Sequence, residues 1–354
     1  MTQASKAAWK AAELQDDPSW IFPLDDAARA DLLRALHRLE PDADLLSLTR
    51  ADLDLGAAGP VLEAAMREVR DGRGFALLRG LPRDELDEAG FGRLTWALGL
   101  HTGVARPQNR ATEYLAPVRD AGSVYRSAGG RGYSSSAGLD FHTDSADVVM
   151  LSCYNQAREG GQSMVTSSVT AHAVLAAEAP ELAEALHQPF WFSRQTEQAP
   201  DESPAYPNPV FDNAGALLCS KWNRNRVLMA QRIDGVPRLT EAQAEAIEAL
   251  DQVLRRPELM FAMYLQPGDV QILNNHVTLH SRTEFVDFDE PQRKRLLFRL
   301  WLAPPDSPRL PESWLPAYRS VAPGTVRGGI MGQAYGARHR AYEQRQATTL
   351  GMPA

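Results

Sequence analysis

Sulfur is scarce, long apolar runs are missing and basic charge is not in excess, and each shortage excludes something. Only two cysteines, Cys153 and Cys219, occur in 354 residues. Two thiols cannot build a disulfide framework or a cysteine-based zinc site, so both read as small buried side chains in a reducing compartment. No stretch of roughly 18 apolar residues is present, and the first thirty residues mix charge throughout instead of building an apolar signal core. The expectation is a soluble, cytoplasmic protein without a membrane partner. Acidic side chains outnumber basic ones, 45 against 37, for a net charge of 37 − 45 = −8 with histidine neutral. That balance argues against a nucleic-acid partner, whose phosphates call for a basic surface. Hydrophobic residues at 44% and charged residues at 23% exclude disorder as the overall state and suffice for a large core.

What is present divides the chain into three parts of one expected domain, residues 1–354. Residues 1–70 read as helical: Ala28, Leu32, Leu33, Leu36 and Leu39 fall at the three-and-four spacing of an amphipathic helix, and a second helix begins near Pro60. Residues 71–302 read as a β core. It opens with an apolar run between Gly74 and Gly80, and short strand-like segments follow from Phe141 to Leu302, interrupted by one helix near 240–255 that starts at Thr240. Several short strands separated by turns, with helices packed outside, predict a mainly β protein with a double-sheet, double-stranded β-helix (jelly-roll, cupin-like) core. Residues 303–354, rich in proline and then in glycine and arginine, are expected to wrap the core as an extended tail. Residues 120–138, rich in glycine and serine, are long for an internal connection and read as a lid.

The chemistry is carried by dispersed residues. In Phe141-His142-Thr143-Asp144 an extended backbone would place His142 and Asp144 on one face, offering an imidazole and a carboxylate together. Far downstream, Gln266 to Arg282 carries His276 and His280, either of which could close a triad. Two imidazoles and one carboxylate on one side of a metal, with the other positions open, is the ligand set of mononuclear non-haem iron. Between Arg293 and Leu302, Arg295, Leu297, Arg299 and Trp301 share one strand face, while Leu296, Phe298, Leu300 and Leu302 form an entirely apolar opposite face. Two guanidinium groups pointing inward from a core strand predict a bound carboxylate, or else pairing with the protein's own acids.

Taken in order, these motifs resemble the taurine dioxygenase family, the clavaminate-synthase-like branch of Fe(II)/2-oxoglutarate oxygenases. The resemblance rests on Gly74-Phe75, His142-Thr143-Asp144, Gly160-Gly161-Gln162-Ser163, Asn275 with His280, and Arg295 followed by Arg299, and covers roughly Gly72 to Leu302. It implies that His142, Asp144 and His280 bind Fe(II) and that Arg295 binds the distal carboxylate of the cosubstrate 2-oxoglutarate, with Ser163, or Thr166 in its place, as hydroxyl partner. Arg299 is implied for the cosubstrate's other carboxylate or for an anion on the substrate. O2 is the third reactant, succinate and CO2 are the by-products, and hydroxylation of an unactivated C–H bond is the default outcome. Desaturation or cyclisation would use the same ligands. The substrate is expected to be a small polar molecule bearing a carboxylate or an amine, contacted by Tyr133, Asn275 and Arg131 as well as Arg299. His276 is outside the pattern and reads as a packed histidine. A jelly-roll metal sensor or scaffold without turnover, or a zinc hydrolase on the same triad, are the rivals. The sequence sets no oligomeric state and leaves a homo-oligomer open.

Overall fold

A computed structural model of the chain describes residues 5–40, 42–126 and 132–353. Its centre is a seven-stranded sheet in which Ile21–Pro23, Phe75–Arg79, Val270–Asn274, Val148–Asn155, Leu296–Ala303 and Val104–Arg106 follow one another, with Leu115–Val118 also paired to Leu296–Ala303. A three-stranded sheet, Phe261–Met263, Ser163–Ser167 and Thr278–Arg282, lies opposite. One apolar cluster draws on both sheets, with Phe75, Leu77, Val149, Leu273, Leu297 and Trp301 from the larger and Val165 from the smaller. This is the double-stranded β-helix that the spacing of short strands predicts.

Side-chain alternation explains the layers. On Leu296–Ala303 the even-numbered Leu296, Phe298, Leu300 and Leu302 face outward into a second cluster, built with the helices Asp26–His37, Ala58–Asp71 and Glu88–Thr102. A strand covered on both faces must be apolar on the outer one, as here. The smaller sheet has its own outer layer, where Met164 and Leu279 meet Ala171 and Leu175 of helix Ser168–Glu178 and Ile247, Leu250 and Leu254 of helix Glu241–Leu254. The latter helix begins where its sequence announces: the Thr240 hydroxyl accepts from the Gln243 amide, while the Gln243 side chain reaches back to the Thr240 amide.

Two expectations need correction. His142 and Asp144 are not in a regular strand; the ladder starts only at Val148, and His142 makes isolated bridges to His280 and Asn223. The chain beyond Leu302 is not extended throughout, since it closes on helix Ala337–Thr349. That helix buries Tyr342, Glu343, Gln346 and Ala347, a mostly polar set without an apolar stripe, so hydrophobic periodicity has nothing to detect.

Candidate active site

The mouth of the β core holds a cavity into which both sheets send side chains. His142 is drawn to it by reciprocal backbone hydrogen bonds with His280, the His142 amide donating to the His280 carbonyl at 2.9 Å and the His280 amide to the His142 carbonyl at 3.0 Å. The two rings lie 4.4 Å apart. Asp144, two residues on, comes within 3.8 Å of His280 Nε2. One ligand atom from each of His142, Asp144 and His280 lies within 4.8 Å of the others, so the three converge on a single point.

Local hydrogen bonds fix how each presents itself. Nδ1–H of His142 donates to the Asp140 carbonyl at 2.8 Å, which sets the tautomer and leaves Nε2 with its lone pair. Asn275 is buried and clamps the carboxylate's segment, its Oδ1 accepting from the Asp144 amide at 2.9 Å and its Nδ2 donating to the Ala146 carbonyl at 3.0 Å. Burial would raise the Asp144 pKa, but the Arg299 guanidinium at 3.3 Å, with His280 and His142, outweighs it and brings the carboxyl down to about 2. Burial, with help from His142 and against the pull of Asp144, depresses His280 far below the usual imidazole range. An ionised Asp144 and a neutral His280 are in the protonation states that a metal requires of such ligands. The donor set therefore fits a divalent iron with open positions, and no cysteine competes: both thiols are buried and pushed up to about 12 by desolvation.

The arginine strand divides its two cations. Arg299 is answered by the protein itself, donating from Nε to Gln108 Oε1 at 2.6 Å and sitting beside Asp144. Arg295 has no such answer: its Nη1 is buried and unpartnered, and burial lowers its pKa to about 10. It lines the cavity with Ser163, whose hydroxyl donates to Gln271 Oε1 at 2.8 Å. The double glycine of the motif makes room for this arginine. Gly160 and Gly161 both have positive φ, and a Cβ on Gly161 would stand 3.2 Å from Arg295 Nε.

Other expected contacts fall elsewhere. Thr166 faces away from the cavity, its hydroxyl donating to the Leu254 carbonyl at 3.0 Å, because Ser163 and Thr166 differ by an odd number of residues on one strand. Asn275 does not line the cavity; it supports Asp144 instead. Tyr133 does line it, with the Arg299 guanidinium 5.1 Å from its ring. Arg131 lies outside the described residues. His276 is packed as expected, its Nε2–H donating to Asp147 at 2.7 Å and its ring lying beside those of Trp314 and Tyr318. Sequence reasoning passed over Arg282, whose signal was parity: two residues past His280 on one strand, it faces the same cavity.

Comparison with known proteins agrees with this geometry. The family model for "Taurine catabolism dioxygenase TauD, TfdA family" matches residues 22–301. The chain is 31% identical over 313 residues to FR-33289 synthase of Streptomyces rubellomurinus (strain ATCC 31215), spanning 87% of this chain and 92% of that protein. It is 25% identical over 324 residues to the taurine hydroxylase-like protein SAT17 of Stachybotrys chartarum (strain CBS 109288 / IBT 7711), spanning 84% and 81%. Among solved structures, an asparagine oxygenase in complex with Fe(II), 2S,3S-3-hydroxyasparagine and succinate superposes with a TM-score of 0.63 at 20% identity, over 80% of this chain and 93% of that one. The non-haem iron oxygenase OrfP with Fe and alpha-ketoglutaric acid gives 0.56 at 16% identity, over 80% and 93%. At those identities the structures speak for the fold, and the sequence matches speak for descent. The chain belongs to the taurine catabolism dioxygenase family, and is an Fe(II)- and 2-oxoglutarate-dependent oxygenase.

Proposed function

We propose that this oxygenase hydroxylates an unactivated C–H bond of a small, acid-bearing metabolite or natural-product intermediate, with His142, Asp144 and His280 holding Fe(II) and with Arg295 and Ser163 holding 2-oxoglutarate. The observation that carries the reading is the pairing, in one cavity, of a convergent His/Asp/His set with a buried arginine that has no anionic partner among the described residues. When bound there, iron, 2-oxoglutarate and O2 supply oxidising power, the keto acid leaving as succinate and CO2. The chain's own part is to orient and to exclude. Asp140 and Asn275 fix two ligands, Arg299 keeps Asp144 ionised, and Tyr125, Tyr133 and Leu139 wall the cavity from bulk water.

The acid-bearing substrate is supported by the charge at the far side of the same cavity. Arg226 lines it, donating to the Ser193 carbonyl at 3.3 Å and standing 3.9 Å from Glu197. Behind it Lys221 is buried, makes no ion pair among the described residues and sits 5.0 Å over the Tyr318 ring. Burial, with Arg226 and Arg194 nearby, depresses this ammonium, and Arg226 is the member of the group that lines the cavity and could meet a substrate acid. The segment that carries these cations is tied to the metal-binding one, the Thr143 amide donating to the Trp222 carbonyl at 2.8 Å, so an anchored acid places the rest of the molecule toward the triad. Hydroxylation is favoured because Asp144 completes the ligand set, and the asparagine oxygenase that shares the fold holds a hydroxylated product and succinate.

The test is a small-acid library screened for succinate formation with purified protein, Fe(II) and 2-oxoglutarate. A hit is expected to give a product heavier by one oxygen atom, and Asp144→Ala to abolish turnover. Full turnover in Asp144→Ala would remove that residue from the ligand set, and activity with Zn(II) in the absence of 2-oxoglutarate would overturn the reading.

A further inference from the structure

Two buried guanidinium groups, not one, face the cosubstrate end of the cavity. Arg282 is on strand Thr278–Arg282, Arg295 immediately precedes strand Leu296–Ala303, and both line the cavity. Each has a buried Nη1 with no hydrogen-bond partner. The ring of Phe285 lies 4.6 Å from the Arg282 guanidinium and 5.0 Å from that of Arg295, so both groups pack against one aromatic side chain. Among the described residues neither forms an ion pair with a carboxylate; Asp287 accepts from the backbone amide of Arg295 instead. Two like charges buried together without an anion are costly, and a single carboxylate can accept from both.

The remaining donors of Arg282 point to another structure. Nη2 donates to the Ser135 carbonyl at 2.7 Å and to the Ala137 carbonyl at 2.6 Å. The same edge is fastened by the Leu139 amide to the Arg282 carbonyl at 2.9 Å, the Ser281 hydroxyl to the Leu139 carbonyl at 2.6 Å, and the Phe285 amide to the Ser136 carbonyl at 3.0 Å. Just upstream in this segment is Tyr133, which lines the substrate side of the cavity under Arg299. One guanidinium thus joins the cosubstrate end to the segment that closes the substrate end.

We propose that Arg282 is a second binding residue for the distal carboxylate of 2-oxoglutarate, and that it transmits cosubstrate occupancy to residues 132–139, so that the substrate wall carrying Tyr133 is firmly set only when 2-oxoglutarate is bound. The inference rests on the oxygenase reading above and adds to it a binding residue and a link from the cosubstrate end to residues 132–139. Its physical basis is that Nη1 is free to take a carboxylate oxygen while Nη2 keeps both loop carbonyls. Binding the carboxylate then immobilises the guanidinium, and with it the loop.

The test compares 2-oxoglutarate with pyruvate, which has the same keto-acid head and no distal carboxylate, on the full-length Fe(II) protein under anaerobic conditions. Affinities are read by equilibrium titration, and the loop by hydrogen–deuterium exchange of residues 132–139. Arg282→Gln is expected to weaken 2-oxoglutarate by about ten-fold, in keeping with loss of a charge-assisted contact, and to leave pyruvate within about two-fold. 2-Oxoglutarate, but not pyruvate, is expected to slow exchange of 132–139 in the wild type, and neither to do so in the variant. Arg282→Lys keeps the charge without the fork, guards against a folding defect, and is expected to retain most of the 2-oxoglutarate affinity while losing the loop protection. Equal loss of both keto acids in Arg282→Gln, or wild-type affinity for 2-oxoglutarate alongside its loss in Arg295→Gln, would overturn the assignment. Failure of the wild type to bind either keto acid would overturn the oxygenase reading itself.

Discussion

At the scale of single residues, the cavity is governed by which charges the protein answers and which it leaves. Arg299 is answered by Asp144 and Gln108, while among the described residues Arg295 and Lys221 form no ion pair with a carboxylate. Lys221 has the clearest consequence for pH. Burial, with Arg226 and Arg194 nearby and only Asp144 opposing them, pulls its pKa from the ordinary lysine range to about 7. A depressed lysine leaves the unfolded chain holding more protons than the folded one between about pH 7 and 10.4, so stability rises with pH across that window, and the cost of burial is fully present below it. Lys221→Met keeps the volume and removes the cost. It is expected to raise the melting temperature at pH 7 and to flatten the rise in stability between about pH 7 and 10. Calorimetric melts at about pH 6, 8 and 10 check this; a rise in stability as steep as the wild type's would show that Lys221 is not the group responsible.

At the scale of elements, alternation along a strand decides which hydroxyl can serve the cosubstrate. Ser163 and Thr166 share strand Ser163–Ser167, but Ser163 reaches the cavity beside Arg295, whereas Thr166 satisfies the Leu254 carbonyl in the last turn of helix Glu241–Leu254. Ser163→Ala is expected to raise KM for 2-oxoglutarate several-fold and, through the lost hydrogen bond to Gln271, to cost about 1 kcal/mol. Thr166→Val is expected to leave that KM alone and to cost about 1 kcal/mol in denaturant unfolding, the usual worth of one hydrogen bond. The reverse pattern would mean that the register of the smaller sheet is shifted by one residue. The same rule explains what the sequence made legible. The faces of 295–302 were readable because one is wholly apolar and the other carries two arginines, so period two leaves no ambiguity. The strand Thr278–Arg282 was not readable as an element: Thr278, Ser281 and Arg282 are polar yet buried, satisfied by hydrogen bonds rather than apolar contact, and Arg282 went unnoticed with it. The triad was recognisable from motif order, while the convergence of His142 and Asp144 depends on two isolated bridges and the Asn275 clamp, which no periodicity encodes.

At the scale of the whole molecule, the segment after Leu302 is locked beneath the loop that carries Asp144 and Asp147. Arg327 is almost wholly buried and reaches back to Asp147 through Nε at 3.0 Å and Nη2 at 2.7 Å, while its other donors satisfy the Ala322 and Pro308 carbonyls. Gly328 and Gly329 have positive φ and pass directly under the loop, the Gly329 amide donating to the Ser145 carbonyl at 2.6 Å. Asp147 also holds His276, one residue from Asn275, the side chain that clamps Asp144. A tail joined through a buried ion pair to the loop that bears Asp144 should melt with the core, so a single unfolding transition is expected for the full chain. Arg327→Ala leaves the Asp147 carboxylate buried without its cation and is expected to lower that one transition by about 3–5 kcal/mol. The pH dependence follows from the same pair. Burial would raise Asp147, but Arg327 and His276 hold it below the ordinary carboxylate value, so its contribution is complete above about pH 4 and is lost as pH falls through the lower folded value. His276, depressed by burial, adds a loss that begins as pH drops below about 6.5, where the unfolded chain takes up a proton that the folded one refuses. Removing Arg327 lets the Asp147 pKa rise, so the acid-unfolding midpoint of the variant is expected to move up in pH. Acid titrations followed by tryptophan fluorescence, alongside thermal melts, check both effects. A separate low-temperature transition confined to the tail, with the core midpoint unchanged, would show that the segment is an appendage and that the loop beneath Asp144 stands without it.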